Sequence, residues 1–173
     1  MEKRVSADFF LKDALEIAPE LLEMKLIRRF DNNEILVLDI SDIEVYRGEE
    51  DLACHASKGK TPRNQIMYQE GGRVYVYLIY GMYWLLNITT GTAENPQAIL
   101  IRGTKQIDGP GRIGKILKLD KSFYGEVITS SQRLWIEYGN KSKEKILKIP
   151  RVGINYAGEY WANIPWRYKL LNA

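Results

Sequence analysis

A chain of 173 residues with a formal net charge of +3 is long enough to bury one ordinary core and too short for two comfortable ones, so a single domain is expected over residues 1–173. No apolar run approaches the roughly 20 residues that a membrane span requires, and the opening MEKRVSADFF lacks the apolar segment of a secretory signal; both features predict a soluble, intracellular protein with no membrane partner. One cysteine, Cys54, rules out an intramolecular disulfide, and one histidine, His55, without a CxxC pair excludes the usual Cys/His zinc sites. Residues 1–51 carry 7 Lys/Arg against 14 Asp/Glu, whereas 101–151 carry 12 against 5. A basic half suits a polyanionic partner, and a solvated lysine-rich surface accounts for it equally well.

Asp13 to Glu23 reads as a short helix capped by Asp13, with Leu15, Ile17, Leu21 and Leu22 at apolar spacing and Pro19 expected to kink or break it. Met24–Phe30 reads as a strand, Asp31-Asn32-Asn33 as a turn, and Glu34–Tyr46 as the antiparallel return. Near the end of that return, Ile43 and Val45 fall on one face and Asp42, Glu44 and Tyr46 on the other. If the first face is core, the acidic one lines a surface or cleft. Arg47 to Met67 is a long polar segment in which Glu49, Glu50 and Asp51 suit the first turn of a short helix through Leu52, Ala53 and His55.

The run RVYVYLIYGMYWLLN, Arg73 to Asn87, holds four of the eleven tyrosines. Its first half alternates as a strand, Gly81 permits a turn, and Tyr83, Leu85 and Asn87 share a face of the returning strand, which sets a polar group in an apolar row. An apolar hairpin explains the run, and so does a platform on which nucleobases stack for roughly 1 to 3 kcal/mol each. Gln97–Gly103 is a further strand that places Arg102 on the face of Ala98 and Leu100. Gly109-Pro110-Gly111 opens a basic helix, Arg112–Leu119, with Ile113, Ile116 and Leu117 at helical spacing. Arg133–Tyr138 and Lys145–Ile149 read as short strands around the turn Gly139-Asn140, and Pro165 opens a last strand.

Few groups here could do chemistry. A Ser-His-Asp triad would need His55, and no GxSxG turn presents a serine; no P-loop or dinucleotide fingerprint occurs, so neither NTP nor NAD use is expected, and a metal held only by carboxylates stays open. What remains is Glu44, two residues from Tyr46, with His55 on the following loop. A carboxylate at a cleft can activate water, although most strand glutamates are simply solvated.

Four segments taken together, EVYRGEEDLACHA, TPRN, YVYLIYGMYWLLN and ILIR, in this order and spacing over Lys25 to Arg102, resemble the alkyladenine (3-methyladenine) DNA glycosylase family. GPG near 109 and PRVG near 150 add weaker matches. The resemblance implies a monofunctional base-excision enzyme, a monomer that takes a damaged purine out of duplex DNA and hydrolyses its N-glycosidic bond without a metal or other cofactor. It implies Glu44 as general base with Arg102 beside the attacking water, and Tyr46, His55 and Tyr77 around the flipped base. It also implies that Asn87 tests the base edge, and that Tyr80, with Met82, enters the DNA at the hairpin tip. Val74, Val76 and Leu78 are left as core, and Tyr75 and Tyr83 as packing. The connection between Arg102 and Gly109 is shorter than in familiar members. The implied architecture is mixed α/β (α+β), with a curved, mostly antiparallel sheet, short flanking helices and a protruding β-hairpin. A non-catalytic nucleic-acid-binding protein on the same fold is the alternative, and a small-molecule hydrolase using Glu44 is a third reading that leaves Tyr80 and the basic half unexplained.

Overall fold

The computed structural model describes residues 3–173. In chain order the elements are α1 (Ala7–Phe10), α2 (Ala14–Leu21), β1 (Lys25–Arg29), β2 (Ile35–Arg47), β3 (Val74–Ile79), β4 (Tyr83–Thr90), β5 (Gln97–Thr104), α3 (Pro110–Ile116), β6 (Leu134–Glu137), β7 (Ile146–Ile149), α4 (Glu159–Asn163) and β8 (Arg167–Leu170). The strands form one sheet in the order β3-β4-β5-β2-β1-β6, with β8 joined to β2 and β7 to β8. Every pairing is antiparallel.

The 13-residue strand β2 ties this sheet together. Its first part pairs with β1 from Ile35 to Asp39, and residues 42–44 pair with β8 instead, while β5 follows the other edge from Ile40 to Arg47. The register with β5 shifts on both sides of Asp42. Such irregularities bend a strand and raise its twist, and the sheet curls into a half-barrel around this point. The result is a single α+β domain, as expected.

Alternation decides which face is core. Ile43, Val45, Val74, Val76, Leu86, Ile88, Ile99 and Ile101 are all at most 3% exposed and share one cluster with Phe9 and Phe10 of α1, Ile17 and Leu21 of α2, and Ile113 and Leu117. Asp13 caps α2 by accepting the Leu15 N–H at 2.9 Å. Pro19 does not break that helix: it falls in the last turn, two residues before the helix stops at Leu21, so its missing N–H removes one bond only. Arg112 and Lys115 on α3 and Lys118 just after it face solvent, and Ile116, expected on the apolar stripe, is 36% exposed. A side chain at Gly114 would put Cβ 1.8 Å from the Trp84 carbonyl oxygen. Only glycine lets α3 lie this close to β4 and brace the hairpin.

Three further expectations fail. The segment after Arg47 forms no α-helix: it makes two single 3-10 turns, His55–Lys58 and Gln65–Tyr68. Asp51 points inward rather than toward a helix N-terminus, because its carboxylate accepts the N–H groups of Arg47 and Ala53 at 3.1 Å each. The strands near Gly139 do not pair with each other; β6 joins β1 and β7 joins β8. Leu78, read as core, is 40% exposed, since the hairpin projects beyond the elements that cover Val74 and Val76.

Candidate active site

The polar face of the sheet carries one transverse row. Tyr75 on β3 pairs with Asn87 on β4, Asn87 with Leu100 on β5, Leu100 with Glu44 on β2, and Glu44 with Arg167 on β8. Directly paired residues share a face, so the sequence positions of a tyrosine, an asparagine and a glutamate become neighbours across five strands. Glu44 and Asn87 stand two strand spacings apart, roughly 10 Å.

Glu44 is fully buried, at 0% exposure. Its Oε2 accepts the Tyr46 hydroxyl at 2.7 Å and its Oε1 accepts the Val152 N–H at 2.8 Å, while the Arg102 guanidinium lies 3.6 Å from Oε1. A buried carboxylate without such partners would cost several kcal/mol. Here three groups hold it, and Arg102, with a fifth of its side chain exposed, reaches from the carboxylate toward solvent.

Behind Tyr46 lies a second buried charge pair. Arg151 and Asp51 meet in a two-pronged contact of 2.6 and 2.9 Å, with neither side chain exposed. Arg151 also donates to the Val45 carbonyl at 2.9 Å, and its guanidinium carbon stands 4.9 Å from the centre of the Tyr46 ring. The pair joins the loop after β2 to the C-terminal segment. The residue after Arg151 is Val152, so the same clamp sets the N–H that holds Glu44.

Tyr46, His55, Tyr77 and Asn87 line one small cavity of about 50 Å³, together with Tyr75 and Tyr156 among others. Asn87 is 2% exposed and donates to the Tyr75 carbonyl at 3.1 Å. His55 Nδ1 is 2.7 Å from the Tyr75 hydroxyl, and its ring centre is 4.6 Å from that of Tyr77. Burial, with Arg63 adding to it, lowers the His55 pKa to about 4, so the imidazole is neutral near pH 7. Burial pushes Tyr77 up to about 12 and Tyr46 well above its ordinary value, the latter helped by Glu44. The cavity therefore presents neutral aromatic faces. Cys54 is 2% exposed, and burial pushes its thiol up to about 12, which leaves it unreactive.

Tyr80 and Met82 stand apart from this cavity, at the hairpin tip, 88% and 65% exposed. Tyr80 and Gly81 both have left-handed backbone, φ 51 and 65, and the Met82 N–H closes the turn on the Ile79 carbonyl at 3.0 Å. Two positive φ values match the twist of the flanking strands, and a tyrosine held there is strained.

The structure thus brings Glu44, Arg102, Tyr46, His55, Tyr77 and Asn87 together and holds Tyr80 and Met82 out in solvent. Sequence reasoning missed Asp51, Arg151, the Val152 N–H and Tyr156. Asp51 was read as part of an acidic run and Arg151 as part of the basic half, and nothing local says that residues 100 positions apart pair. The basic half is also less available than its composition suggests. Arg133 binds Glu126 at 2.6 Å, Lys105 bridges Glu23 at 3.3 Å, and Arg151 is buried.

The same segments match the family described as Methylpurine-DNA glycosylase (MPG), over residues 8–109 and 104–173. The chain belongs to the methylpurine-DNA glycosylase family. The two matched stretches meet at the short connection after Arg102, where Gly109 N–H turns back onto the Arg102 carbonyl at 3.1 Å. Relatives named "Putative 3-methyladenine DNA glycosylase" include one from Methanocella arvoryzae, 38% identical over 93% of this chain and 89% of its own length. One from Borreliella burgdorferi (strain ZS7) is 39% identical over 92% of both chains, and one from Psychrobacter cryohalolentis 35% over 90% and 86%. As a methylpurine-DNA glycosylase the protein is a hydrolase of N-glycosidic bonds, and its substrate is DNA. No helix among the described residues is long and apolar enough to cross a membrane.

Proposed function

We propose that the protein, acting as a monomer inside the cell, flips an alkylated or deaminated purine nucleotide, such as 3-methyladenine or hypoxanthine, out of duplex DNA and hydrolyses its N-glycosidic bond. The observation that carries this reading is the buried Glu44 carboxylate, held by Tyr46, Val152 and Arg102, beside a cavity of neutral aromatic walls. A solvated strand glutamate needs none of these partners.

In this reading Glu44 accepts a proton from water as the water oxygen bonds to C1′ of the sugar. The C1′–N bond breaks, its electron pair leaves with the base, and the carboxylate's charge favours the oxocarbenium-like transition state. Arg102, 3.6 Å from the Glu44 carboxylate, orients the water. The flipped base stacks between Tyr46 and the His55–Tyr77 wall, which offsets part of the few kcal/mol lost on leaving the helix. Alkylated purines carry positive charge, and uncharged tyrosine faces attract them. A neutral imidazole adds no repulsion. Asn87 meets the base edge and clashes with a guanine amino group, while Tyr80 and Met82 fill the gap left in the duplex.

The test is incubation with duplexes carrying 3-methyladenine, hypoxanthine or ethenoadenine, followed by alkali cleavage at abasic sites. At least one lesion is released by the parent protein, and Glu44→Gln lowers single-turnover excision by about 10²- to 10⁴-fold while lesion binding persists. Full activity in that variant would remove Glu44 as the base.

A further inference from the structure

The cleft between Tyr46, His55, Tyr77 and Asn87 offers about 50 Å³, room for one or two waters. Pockets that take small ligands run from about 300 Å³ upward, so a wall has to move before a purine enters. Most walls are tied. The Tyr46 hydroxyl is bound to Glu44 and its ring is backed by Arg151. His55 and Tyr75 hold each other at 2.7 Å, and Asn87 is fastened to the Tyr75 carbonyl.

Tyr77 is packed between His55 at 4.6 Å and the Arg63 guanidinium at 5.2 Å, which leaves Tyr156 as the most exposed wall. It is 72% exposed, and its hydroxyl reaches the Ala53 carbonyl only at 3.3 Å. It sits on a single 3-10 turn, Asn155–Ala157, between Gly153 (φ 73) and Gly158 (φ 89), where an added Cβ would meet nothing within 4 Å. Ile154 and Ala157, each 3% exposed, pack against Ala53 and anchor the turn on both sides of the tyrosine. The part left free to move is the Tyr156 side chain. Beyond it lies a second cavity of about 670 Å³ that shares Ala53, His55 and Tyr156 with the first. Of these three shared walls, Ala53 is buried and His55 is tied to Tyr75, so the Tyr156 ring is the one with room to move.

We infer that Tyr156 is the removable wall of the base pocket and sets the size of the base it accepts. The inference rests on the base-excision reading above. A compact methylated purine lets the ring close over it, whereas a purine carrying an extra fused ring props it open. Removing the ring therefore costs compact bases a contact and relieves a clash for extended ones.

Single-turnover excision from duplexes carrying 3-methyladenine or ethenoadenine tests this in the full chain. In Tyr156→Ala the ratio of ethenoadenine to 3-methyladenine excision rises by at least about tenfold, the scale on which pocket shape discriminates substrates. Tyr156→Phe keeps the ring, loses the bond to Ala53 and leaves the ratio unchanged. A ratio in Tyr156→Ala within twofold of the parent overturns the gate. Binding of the free bases, read for ethenoadenine by its own fluorescence and for 3-methyladenine by competition, separates the two readings. Absent excision with a shifted preference sinks the reaction and keeps the gate, while an unshifted preference sinks the gate whatever the excision shows.

Discussion

Along β2, alternate residues meet opposite fates at equal burial. Ile43 and Val45 are 0% exposed in the apolar core, and Asp42 and Glu44, on the other face, are 1% and 0% exposed. The apolar face is held by volume, because any apolar group of the right size fills it. The polar face is held by pairing. Asp42 receives Arg167 at 2.7 and 3.0 Å, and Glu44 receives the Tyr46 hydroxyl, the Val152 N–H and Arg102. The partners come from β5, β8 and the segment before α4, so the chemistry of this face depends on the last part of the chain reaching the middle of the sheet.

The largest expected effect comes from breaking the buried pair behind that face. Asp51→Asn leaves the Arg151 guanidinium buried without its counter-charge, and the loss of stability is about 3–5 kcal/mol. Denaturant unfolding of Asp51→Asn, Arg151→Met and Asp51→Asn/Arg151→Met tests this as a cycle, with the double variant recovering part of the loss. Equal, additive losses in the two single variants would mean that the pair is not coupled. On the apolar face Ile43→Ala costs about 2–5 kcal/mol through lost burial and a residual cavity, and Ile43→Val only about 0.5–1.5 kcal/mol. The contrast is that the apolar loss is graded by volume, whereas the polar loss appears with one atom changed.

Acid sharpens the comparison further, because Ile43 and Val45 carry no titratable group, whereas the cavity on the other side holds His55. His55 has its pKa lowered from 6.5 to about 4 by burial, so the unfolded chain binds a proton between those values and the folded one does not. Its contribution to stability is full above pH 6.5 and is lost as pH falls from there through about 4, on the order of 3 kcal/mol in all. Paired carboxylates on the same protein, Asp13 and Asp39, are lowered below their ordinary value despite the opposing effect of burial, by Arg47 and by Gln106 with Lys25 respectively. Their loss comes at lower pH. The difference between parent and His55→Gln, followed by urea unfolding from pH 7 to pH 4, isolates the histidine. A constant difference across that range would show that the His55 pKa is the same in the folded and unfolded chain, and so is not lowered by burial.

What the sequence discloses follows the same division. Period-two alternation tells Ile43 and Val45 from Glu44 and Tyr46 without any knowledge of the partner strands, and the asparagine in an apolar row marks Asn87 as a residue with a task. The hairpin tip is legible from Gly81, since a turn needs a residue that tolerates left-handed backbone, whereas the same backbone at Tyr80 has no signal in the sequence. Pairing across long separations is not legible. Nothing near Asp51 announces Arg151, 100 residues on, and an acidic run before Leu52 looks like a helix start until Asp51 turns inward to that arginine. The β6 and β7 strands mislead for the same reason: the turn between them is local, whereas their partners, β1 and β8, are chosen by the core and by the open edge of β2.

The smallest stability effect is expected where the two faces end, at the hairpin tip. Tyr80 is 88% exposed and makes no contact that the fold relies on, so Tyr80→Ala changes unfolding free energy by no more than about 0.5 kcal/mol. Its positive φ of 51 is kept by alanine, so no strain is released. If the ring enters DNA, the same substitution weakens binding to a lesion duplex by about 1–3 kcal/mol, the range measured for one stacked base. Fluorescence anisotropy with a lesion duplex, set beside denaturation of the same preparation, reads both quantities. A change in binding no larger than the change in stability would make Tyr80 an ordinary exposed turn residue. A large change in binding alone would show that the tip acts on DNA without contributing to the fold, in contrast to Glu44, whose partners also stitch the C-terminal segment to the sheet.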